Sequence, residues 1–166
     1  MQSTDLKASF PPVVSAETRV LICGSLPGDR SLARRQYYAH PQNQFWPLMS
    51  QVIGRDLTAI PYPDRLAALL DAHVGLWDVV ATARRPGSAD AAMSQIAPND
   101  IAALAASLPR LRAIAFNGGT ALKHGLRQLG ATPLAIVALP SSSPLHTVGL
   151  AAKRPAWLAL RAHLAA

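Results

Sequence analysis

The sequence predicts an α/β fold in which helices cover both faces of a parallel sheet. Four short apolar runs have the length of buried strands, and segments with helical spacing of apolar residues separate them. Half of the 166 residues are hydrophobic, which is enough for one packed core in one domain. Strands that alternate with helices typically form a parallel sheet, because each helix returns the chain to the same edge.

The predicted strands are short apolar runs that end at turn signals. The first, from Val20 to Cys23, is fully apolar and stops at a Gly-Ser-Leu-Pro-Gly turn, and the third ends at Phe116 shortly before a Gly-Gly pair. In chain order, we expect strands at 19–23, 76–80, 111–116 and 132–139.

The predicted helices begin at residues that favour helix starts and end at glycines. Asn43 is a good N-cap and Gly54 a stop for the first helix, Pro98 opens the third, and Gly130 ends the fourth. In chain order, we expect helices at 43–53, at 63–73, from Pro98 onward, at 118–129 and at 150–165. The segments between these elements are expected to be loops, above all 24–42, 82–97 and 140–149.

Residues 1–18 are expected to form an N-terminal arm, and residues 19–166 a single domain. Pro11 and Pro12 disfavour helix in the arm. No segment has the pattern of a secretory signal or the roughly 20 apolar residues of a membrane span. The one cysteine, Cys23, is expected in the core. Together these features indicate a cytoplasmic protein.

The formal net charge is +7, and the positive charge is concentrated in the second half of the chain. Asp100 is the last acidic residue. The basic residues after it are Arg110, Arg112, Lys123, Arg127, Lys153, Arg154 and Arg161. Such a half favours a polyanionic partner through counterion release. The alternative is that Arg and Ala are common here only because the coding sequence is rich in G and C.

Polar or glycine-rich segments lie at or near the ends of all four predicted strands. They are Gly24–Gly28, the region of Trp77 and Asp78, Asn117–Gly119, and the loop 140–149. In a parallel sheet these ends meet at one edge, where open α/β proteins bind ligands. Two tyrosines, polar side chains and an aromatic pair follow the first turn, and these residue types suit a flat polar ring such as a nucleobase.

The turn Gly24–Gly28 has neither the spacing of a phosphate-binding Walker loop nor a dinucleotide fingerprint. Its glycines either serve the turn alone or expose backbone N–H groups that hold a polar ligand edge or position a water. In the second interpretation Ser25 is a candidate catalytic residue, and Leu26 and Pro27 lie beside the base.

His40 and Asn43 are candidate catalytic residues. A carboxamide both donates and accepts, so Asn43 can orient a water or bind a base edge as well as cap a helix. His40 either joins this site or only makes a hydrogen bond within its loop. Tyr37, Tyr38 and Phe45 offer faces on which a base could stack, and the alternative for each is a place in the core.

Asn117 stands at a strand end before a helix N-terminus, which favours negative charge. It could stabilise a departing base or hold a phosphate, and the alternative is that it only ends the strand.

The loop after the last strand combines serines with an apolar tip. Hydroxyls and backbone N–H groups suit phosphates, and an exposed Leu suits a wedge between stacked bases. The alternative is an ordinary Ser/Pro turn. The candidate DNA-binding residues are Ser141, Ser142, Ser143, Leu145, His146, Lys153 and Arg154.

Taken together, these segments resemble the uracil-DNA glycosylase superfamily, and most closely its hypoxanthine-DNA (deoxyinosine) glycosylase branch, which is related to the mismatch-specific uracil/thymine glycosylases. The resemblance covers nearly the whole chain after residue 18, and its most specific part is YYAHPQNQFW, from Tyr37 to Trp46. The other matching segments are GSLP at 24–27, LWDVV at 76–80, PNDI at 98–101, FNGGTA at 116–121 and LPSSSP at 139–144.

The resemblance implies an α/β/α sandwich around a central four-stranded parallel sheet. It also implies that a damaged nucleotide is flipped out of DNA and that its N-glycosidic bond is hydrolysed without a cofactor or metal. In the mismatch-specific relatives the first motif reads Gly-Ile-Asn-Pro-Gly, and its Asn positions the attacking water. Leu26 stands at that place here, and the catalytic Asn of the hypoxanthine branch matches Asn43. The iron–sulfur branches need four Cys ligands, and this chain has one Cys.

The expected function is therefore a monofunctional DNA glycosylase that acts as a monomer on double- or single-stranded DNA containing a deaminated base. Hypoxanthine is the expected base, and uracil is an alternative. Asn43 would orient the water, Asn117 and loop N–H groups would bind the leaving base, and an aromatic ring would stack on it. A weak or inactive DNA-binding domain of the same fold and a uracil/thymine mismatch glycosylase remain open. An enzyme for free nucleosides is disfavoured by the basic second half.

Overall fold

The structure is a computed structural model that describes residues 5–166. Its strands are β1 (Leu6–Ala8), β2 (Val20–Gly24), β3 (Val74–Asp78), β4 (Val80–Arg84), β5 (Ser94–Pro98), β6 (Ala113–Asn117) and β7 (Ala135–Leu139). Its helices are α1 (Asp29–Arg34), α2 (Phe45–Ile53), α3 (Tyr62–Asp71), α4 (Ile101–Ser107), α5 (Gly119–Leu129), α6 (Leu150–Leu158) and α7 (Arg161–Leu164).

The central sheet contains four parallel strands in the order β3-β2-β6-β7, as expected. Its two faces are buried in two separate clusters. Val20 and Ile22 of β2 pack in the cluster that includes residues of α2, α3 and α6, while Leu21 and Cys23 face the cluster on the side of α4 and α5. A strand that is buried on both faces has no polar alternation, which is why β2 is a continuous apolar run. The α/β/α architecture is therefore confirmed.

The prediction that 82–97 is a polar loop was wrong. The two ends of this segment belong to β4 and β5, which pair with each other, and β4 also pairs with β1, in a second, antiparallel sheet in the order β1-β4-β5. The sequence gives little sign of these strands because β5 is largely exposed and the β4–β5 register is irregular. Alternation of apolar and polar residues is weak where neither face is well buried.

The helices also differ from the prediction in three places. Pro98 ends β5, and the following helix begins at Ile101, where the Asp100 side chain accepts the N–H of Ala103 at 2.9 Å. Helix α1 lies in the segment that was expected to be a loop. The last helix is interrupted after α6, where the N–H of Leu160 donates to the carbonyl of Trp157 in a tighter turn.

The described part of the expected N-terminal arm packs on the domain. Residues 1–4 lie outside the described residues. Strand β1 pairs with β4, and Val13 pairs with Leu76 of β3. The ring of Phe10 meets that of Tyr37 edge-on at a centroid distance of 5.2 Å. Within residues 5–166, no helix is both long and apolar enough to cross a membrane.

Helix α5 packs on β6 through a glycine, and this contact predicts the effect of adding a methyl group. A Cβ on Gly125 would lie 2.1 Å from the ring of Phe116, which is fully buried. We expect Gly125→Ala to lower the free energy of unfolding by on the order of 1–3 kcal/mol through overpacking. Gly119→Ala is the matched control, because a Cβ there meets no atom within 4 Å. Urea denaturation measures both variants, and equal stabilities would contradict the contact.

Candidate active site

A cleft of about 530 Å³ lies at the carboxyl edge of the central sheet. The structure brings all four strand ends to it. Its lining includes Gly24–Gly28 after β2, Asp78 at the end of β3, Asn117 at the end of β6, and 141–146 after β7. Because the strands are parallel, their ends reach this edge together. The volume is in the range of pockets that take up a small organic ring system.

The turn after β2 is fixed by a buried arginine. The Arg85 side chain is fully buried, and its Nη2 donates to the carbonyl of Pro27 at 2.6 Å, its Nη1 to that of Leu26 at 3.4 Å, and its Nε to that of Gly87 at 2.8 Å. These bonds satisfy carbonyls that would otherwise be buried unpaired. Leu26 and Pro27 thus form a rigid wall of the cleft. The sequence analysis missed Arg85, because it placed this residue in a solvated loop.

Of the three candidate stacking residues, Tyr38 is the one that is partly exposed at the cleft. Phe45 is fully buried and lies under Tyr38, with nearly parallel rings at a centroid distance of 3.9 Å. Tyr37 is only 3% exposed, and its hydroxyl donates to the carbonyl of Pro11 at 3.0 Å. Tyr38 therefore offers a ring that is backed by the core, as a stacking platform requires.

Tyr38 adopts an unusual backbone conformation. Its φ is +55°, in the left-handed region that a bulky side chain rarely occupies. The indole N–H of the buried Trp46 donates to the Tyr38 carbonyl at 3.2 Å. This bond and the contact with Phe45 hold the strained residue, and such strain occurs often at ligand sites.

Asn43 and His40 line the cleft together. The Oδ1 of Asn43 accepts the N–H of Phe45, the first residue of α2, at 2.9 Å. The N-cap position belongs to Gln44, so the prediction that Asn43 is the N-cap was wrong by one residue. The carboxamide N–H₂ group of Asn43 makes no hydrogen bond found among residues 5–166. The Nδ1 of His40 accepts the N–H of Gln42 at 3.1 Å. A neutral His40 therefore carries its proton on Nε2 and is a hydrogen-bond donor.

Ser25 is joined to a carboxylate that the sequence analysis did not single out. Its hydroxyl donates to Oδ1 of Asp90 at 2.7 Å, and both residues line the cleft. Asp90 stands in a short 3₁₀ turn, Asp90–Ala92, between β4 and β5. With its proton directed at Asp90, the Ser25 oxygen is left as an acceptor.

The side chain of Asn117 makes its hydrogen bonds with the loop after β7. Its Nδ2 donates to the hydroxyl of Ser142 at 2.9 Å, and its Oδ1 accepts the N–H of Ser142 at 2.9 Å. Both residues are buried. The pair therefore joins the end of β6 to the start of the loop 140–149. In this structure Ser142 faces Asn117, so its hydroxyl is not on the surface that DNA would meet.

The rest of this loop has two exposed apolar side chains, Leu145 and Val148. Leu145 is 64% exposed, and its N–H donates to the hydroxyl of Ser143 at 3.1 Å. The hydroxyl of Ser141 accepts the N–H of Ser143 at 3.1 Å. These local bonds hold the loop in a turn that presents Leu145 and His146 at the rim of the cleft.

The two basic candidates of α6 have different environments. Lys153 is only 1% exposed, and its ammonium donates to the carbonyl of His146 at 3.1 Å. Burial lowers its pKa. Arg154 is exposed. Lys153 thus supports the loop from below, while Arg154 faces solvent. Arg30 of α1, which was not predicted as a site residue, adds an exposed positive charge at the cleft.

The end of β3 places a buried carboxyl in the cleft. Asp78 is 3% exposed, and its Oδ2 is buried without a hydrogen-bond partner among the residues described. Burial, together with the negative charge of Asp90, raises its pKa to about 7, against a smaller opposing effect of Arg85. The sequence analysis noted this strand end but did not include Asp78 among the site residues.

Gly24 makes room for this carboxyl. A Cβ on Gly24 would lie 2.7 Å from Oδ1 of Asp78 and 3.2 Å from the hydroxyl oxygen of Tyr38. The glycine in the first turn is therefore required by close approach of two side chains to the backbone.

Within residues 5–166, no group of three or more His, Cys, Asp or Glu is arranged to hold a metal ion.

Comparison with known proteins gives a consistent result. The chain matches the Uracil DNA glycosylase superfamily over residues 11–161. A hypoxanthine DNA glycosylase of Methanosarcina barkeri is 37% identical over 153 residues, which cover 91% of this chain and 95% of that protein. One of Methanosarcina acetivorans is 39% identical over 140 residues, covering 83% and 87%.

A solved structure shares the fold. The solution NMR structure of a candidate uracil DNA glycosylase from Methanosarcina acetivorans superimposes with a TM-score of 0.84 at 37% sequence identity. The match covers 96% of this chain and 98% of that one, so it includes the cleft as well as the sheet.

The environment of Asp78 predicts how stability depends on pH. A carboxyl with a pKa of about 7 in the folded protein and about 4 in the unfolded chain stabilises the fold fully below pH 4, and this contribution is lost as pH rises through 7. Asp78→Asn does not titrate. We expect its free energy of unfolding, relative to wild type, to rise by on the order of 2–3 kcal/mol between pH 5 and pH 9. Asp71→Asn, an exposed control, should follow wild type, and a constant difference for Asp78→Asn would contradict the raised pKa.

Proposed function

The chain belongs to the uracil DNA glycosylase superfamily, and we propose that it removes hypoxanthine from DNA by hydrolysing the N-glycosidic bond of deoxyinosine. The product is an abasic site, the starting point of base excision repair. The proposal is supported by two relatives named hypoxanthine DNA glycosylase, which match over most of their own length. It goes beyond the family, because members of one fold differ in the base that they remove.

The observation that carries the proposal is the Tyr38 ring, which stacks on the buried Phe45 in a residue that lines the cleft. A base inside a duplex is inaccessible to a catalyst, so it must be flipped into a pocket and held there by stacking and by hydrogen bonds to its edges. The cleft offers a backed aromatic face and apolar walls at Leu26 and Pro27.

In the proposed reaction, water attacks C1′ of the sugar and the bond from C1′ to N9 of the purine breaks. The bonding electrons go to the purine, which takes up a proton, and the attacking water loses one. The sugar becomes positively charged and the base negatively charged in the transition state, so fixed dipoles are more useful than a strong base.

We propose that Asn43 orients the attacking water. Its Oδ1 already accepts the N–H of Phe45, which fixes the orientation of the carboxamide before substrate binds. Fixed orientation reduces the cost of reorganisation in the transition state. His40, with its proton on Nε2, would donate to the departing base or to a phosphate, and the Ser25 oxygen would accept from the water.

DNA would meet the rim of the cleft. Leu145 would enter the space left by the flipped nucleotide, and Ser141, Ser143, His146, Arg154 and Arg30 would contact flanking phosphates. Ser142, Asn117 and Lys153 act through the loop that they hold, rather than on the DNA itself.

We also propose that the enzyme is monofunctional, without lyase activity. A lyase that forms a Schiff base needs an amine in the site. The lysines of the chain are Lys7, Lys123 and Lys153. None of them lines the cleft. We further propose that the protein acts as a monomer in the cytoplasm, because one chain supplies all the lining residues and the single cysteine is buried and free.

A panel of duplexes tests the proposal. The duplexes carry hypoxanthine, uracil, a thymine mismatch or xanthine, and cleavage is measured in single turnover with excess enzyme. We expect hypoxanthine to be removed fastest and no covalent adduct to form with borohydride. Faster removal of uracil than of hypoxanthine would contradict the proposed base preference. The preferred base would then be uracil, the base in the name of the structural relative. No cleavage of any duplex would favour an inactive DNA-binding domain.

Asn43 gives the first prediction for the mechanism. Asn43→Ala should lower the single-turnover rate by on the order of a hundredfold or more, because it removes a preorganised polar contact. It should lower the free energy of unfolding by only about 1 kcal/mol, the cost of one lost hydrogen bond to the first turn of α2. Asp100→Ala is the matched control, since it removes a side-chain hydrogen bond to the first turn of α4, outside the cleft lining. If both variants cleave alike, the water is oriented elsewhere.

Leu145 gives the second prediction. Flipping costs a few kcal/mol of stacking and pairing, and an inserted side chain offsets part of this cost. Leu145→Ala should therefore reduce cleavage of a well-paired lesion more than cleavage of single-stranded DNA. Leu126→Ala, an exposed leucine of α5, is the control and should change neither rate. Equal losses on both substrates would show that Leu145 is not a wedge.

A further inference from the structure

Helix α1 and the residue after it carry three exposed arginines, Arg30, Arg34 and Arg35, which we call the α1 arginine cluster. Arg30 also lines the cleft. In the described part of the chain, none of the three guanidinium groups has an acidic partner. The acid of α1, Asp29, is taken up by Lys7, whose Nζ lies 2.5 Å from its Oδ1. The positive charge of the cluster is therefore available to a partner outside the chain.

Two of the three arginines stand where other residues would suit the fold better. Arg30 lies in the first turn of α1, where the helix dipole disfavours a cation, and it is repelled by Arg34 one turn later. Arg35 is the C-cap, with a φ of +54° in the left-handed region, where glycine is the usual residue. Residues that oppose local preference in this way are expected at functional positions.

We propose that the α1 arginine cluster binds the DNA backbone on one side of the lesion, beyond the reach of the loop 140–149. The inference rests on the proposed function, because it concerns the DNA that delivers the base to the cleft. A guanidinium group binds a phosphate through two parallel hydrogen bonds. Arg30 and Arg34 are separated by about 6 Å along the helix axis, which is close to the spacing of neighbouring phosphates in one strand.

The topology places α1 and the loop 140–149 on different sides of the cleft. Helix α1 follows β2 and the loop follows β7, and β6 lies between these two strands in the sheet. A strand that sends one nucleotide into the cleft continues past it in both directions. Leu145 and its neighbours would meet the DNA on one side of the flipped nucleotide, and the α1 arginine cluster would meet it on the other.

Hydrogen bonds fix α1 relative to the stacking ring of Tyr38. Ser31 is buried, and its hydroxyl accepts the N–H of Ala39, the residue after Tyr38, at 3.0 Å. The N–H of Asp29 donates to the hydroxyl of Ser88, which also lines the cleft, at 2.9 Å. Phosphates on the cluster would therefore be held at a set distance from Tyr38, so the contact would align the lesion as well as attract DNA.

Three substitutions remove the cluster while suiting the fold. Arg30→Ala and Arg34→Ala introduce a strong helix former, and Arg35→Gly introduces the residue that favours a positive φ. We expect this cluster variant to be at least as stable as wild type in urea denaturation. The control variant loses the same charge from exposed arginines outside the cleft lining, through Arg55→Ala, Arg110→Ala and Arg127→Ala.

The measurement is equilibrium binding of a fluorescent duplex with a central abasic site, followed by anisotropy at several salt concentrations. We expect the cluster variant to bind at least about tenfold more weakly than wild type at physiological salt, and the slope of log Kd against log salt to flatten by about 2 to 3. The control variant should lose less than about threefold and flatten the slope by less than about 1, because charges more than about 10 Å from the DNA are screened.

Duplexes shortened on one side locate the contact. One ends shortly beyond the abasic site in the 5′ direction, and the other ends shortly beyond it in the 3′ direction. One of them lacks the phosphates that the cluster would hold, and we expect wild type and the cluster variant to bind that duplex alike. The difference of at least about tenfold should persist on the other shortened duplex, which keeps those phosphates.

Three results would overturn the inference. They are a cluster variant that binds like the control variant, a loss of affinity without a change in the salt slope, and an equal loss on both shortened duplexes. The first would assign the cluster to an acidic protein partner instead. If the cluster variant does not fold, Arg34→Ala alone should still flatten the slope by about 1, and an unchanged slope would overturn the inference. The readout is binding, so the cleavage panel decides the proposed function separately.

Discussion

Polar groups at the carboxyl edge of a parallel sheet must be hydrogen-bonded once that edge is buried, and this constraint organises the cleft. The carbonyls of Leu26 and Pro27 are satisfied by Arg85, and the Asn117 side chain by Ser142. An unpaired buried group costs about 1–3 kcal/mol, so each of these pairs is worth more to the fold than its net strength suggests. The result is a cleft whose walls are rigid before any ligand binds.

The same constraint separates positioning groups from groups that are left for substrate. The loop 140–149 is held by hydrogen bonds between Asn117 and Ser142 and by one from Lys153 to the carbonyl of His146. Among residues 5–166, the Oδ2 of Asp78 in the cleft has no hydrogen-bond partner. A preorganised site of this kind stabilises charge as it develops, because its dipoles need no rearrangement during the reaction. Tyr38 shows the cost, since its left-handed backbone conformation is strained and is held by Trp46 and Phe45.

The sequence is most informative where burial is complete. The four parallel strands and helix α5 follow from apolar runs and glycine stops, and the strand ends converge as parallel topology requires. The sequence is least informative where burial is partial, which is why the pattern over β4 and β5 predicts a loop. Residue type gave Asn43 and Tyr38 as candidates, but it could not show that Phe45 lies beneath Tyr38 or that Ser142 faces Asn117. Arg85 and Asp78 were missed because burial of a charged side chain leaves no pattern in the sequence.

The central claim is that the cleft holds a flipped hypoxanthine against Tyr38, with Asn43 beside the sugar carbon that water attacks. The most direct measurement is a crystal structure of the protein with a duplex in which the deoxyinosine sugar carries fluorine at C2′, so that the bond to the base resists hydrolysis. We expect an extrahelical base stacked on the Tyr38 ring, with the Asn43 carboxamide within hydrogen-bond reach of a water that faces C1′. A base that remains stacked in the duplex, or one bound in the cleft away from the Tyr38 ring, would contradict the claim.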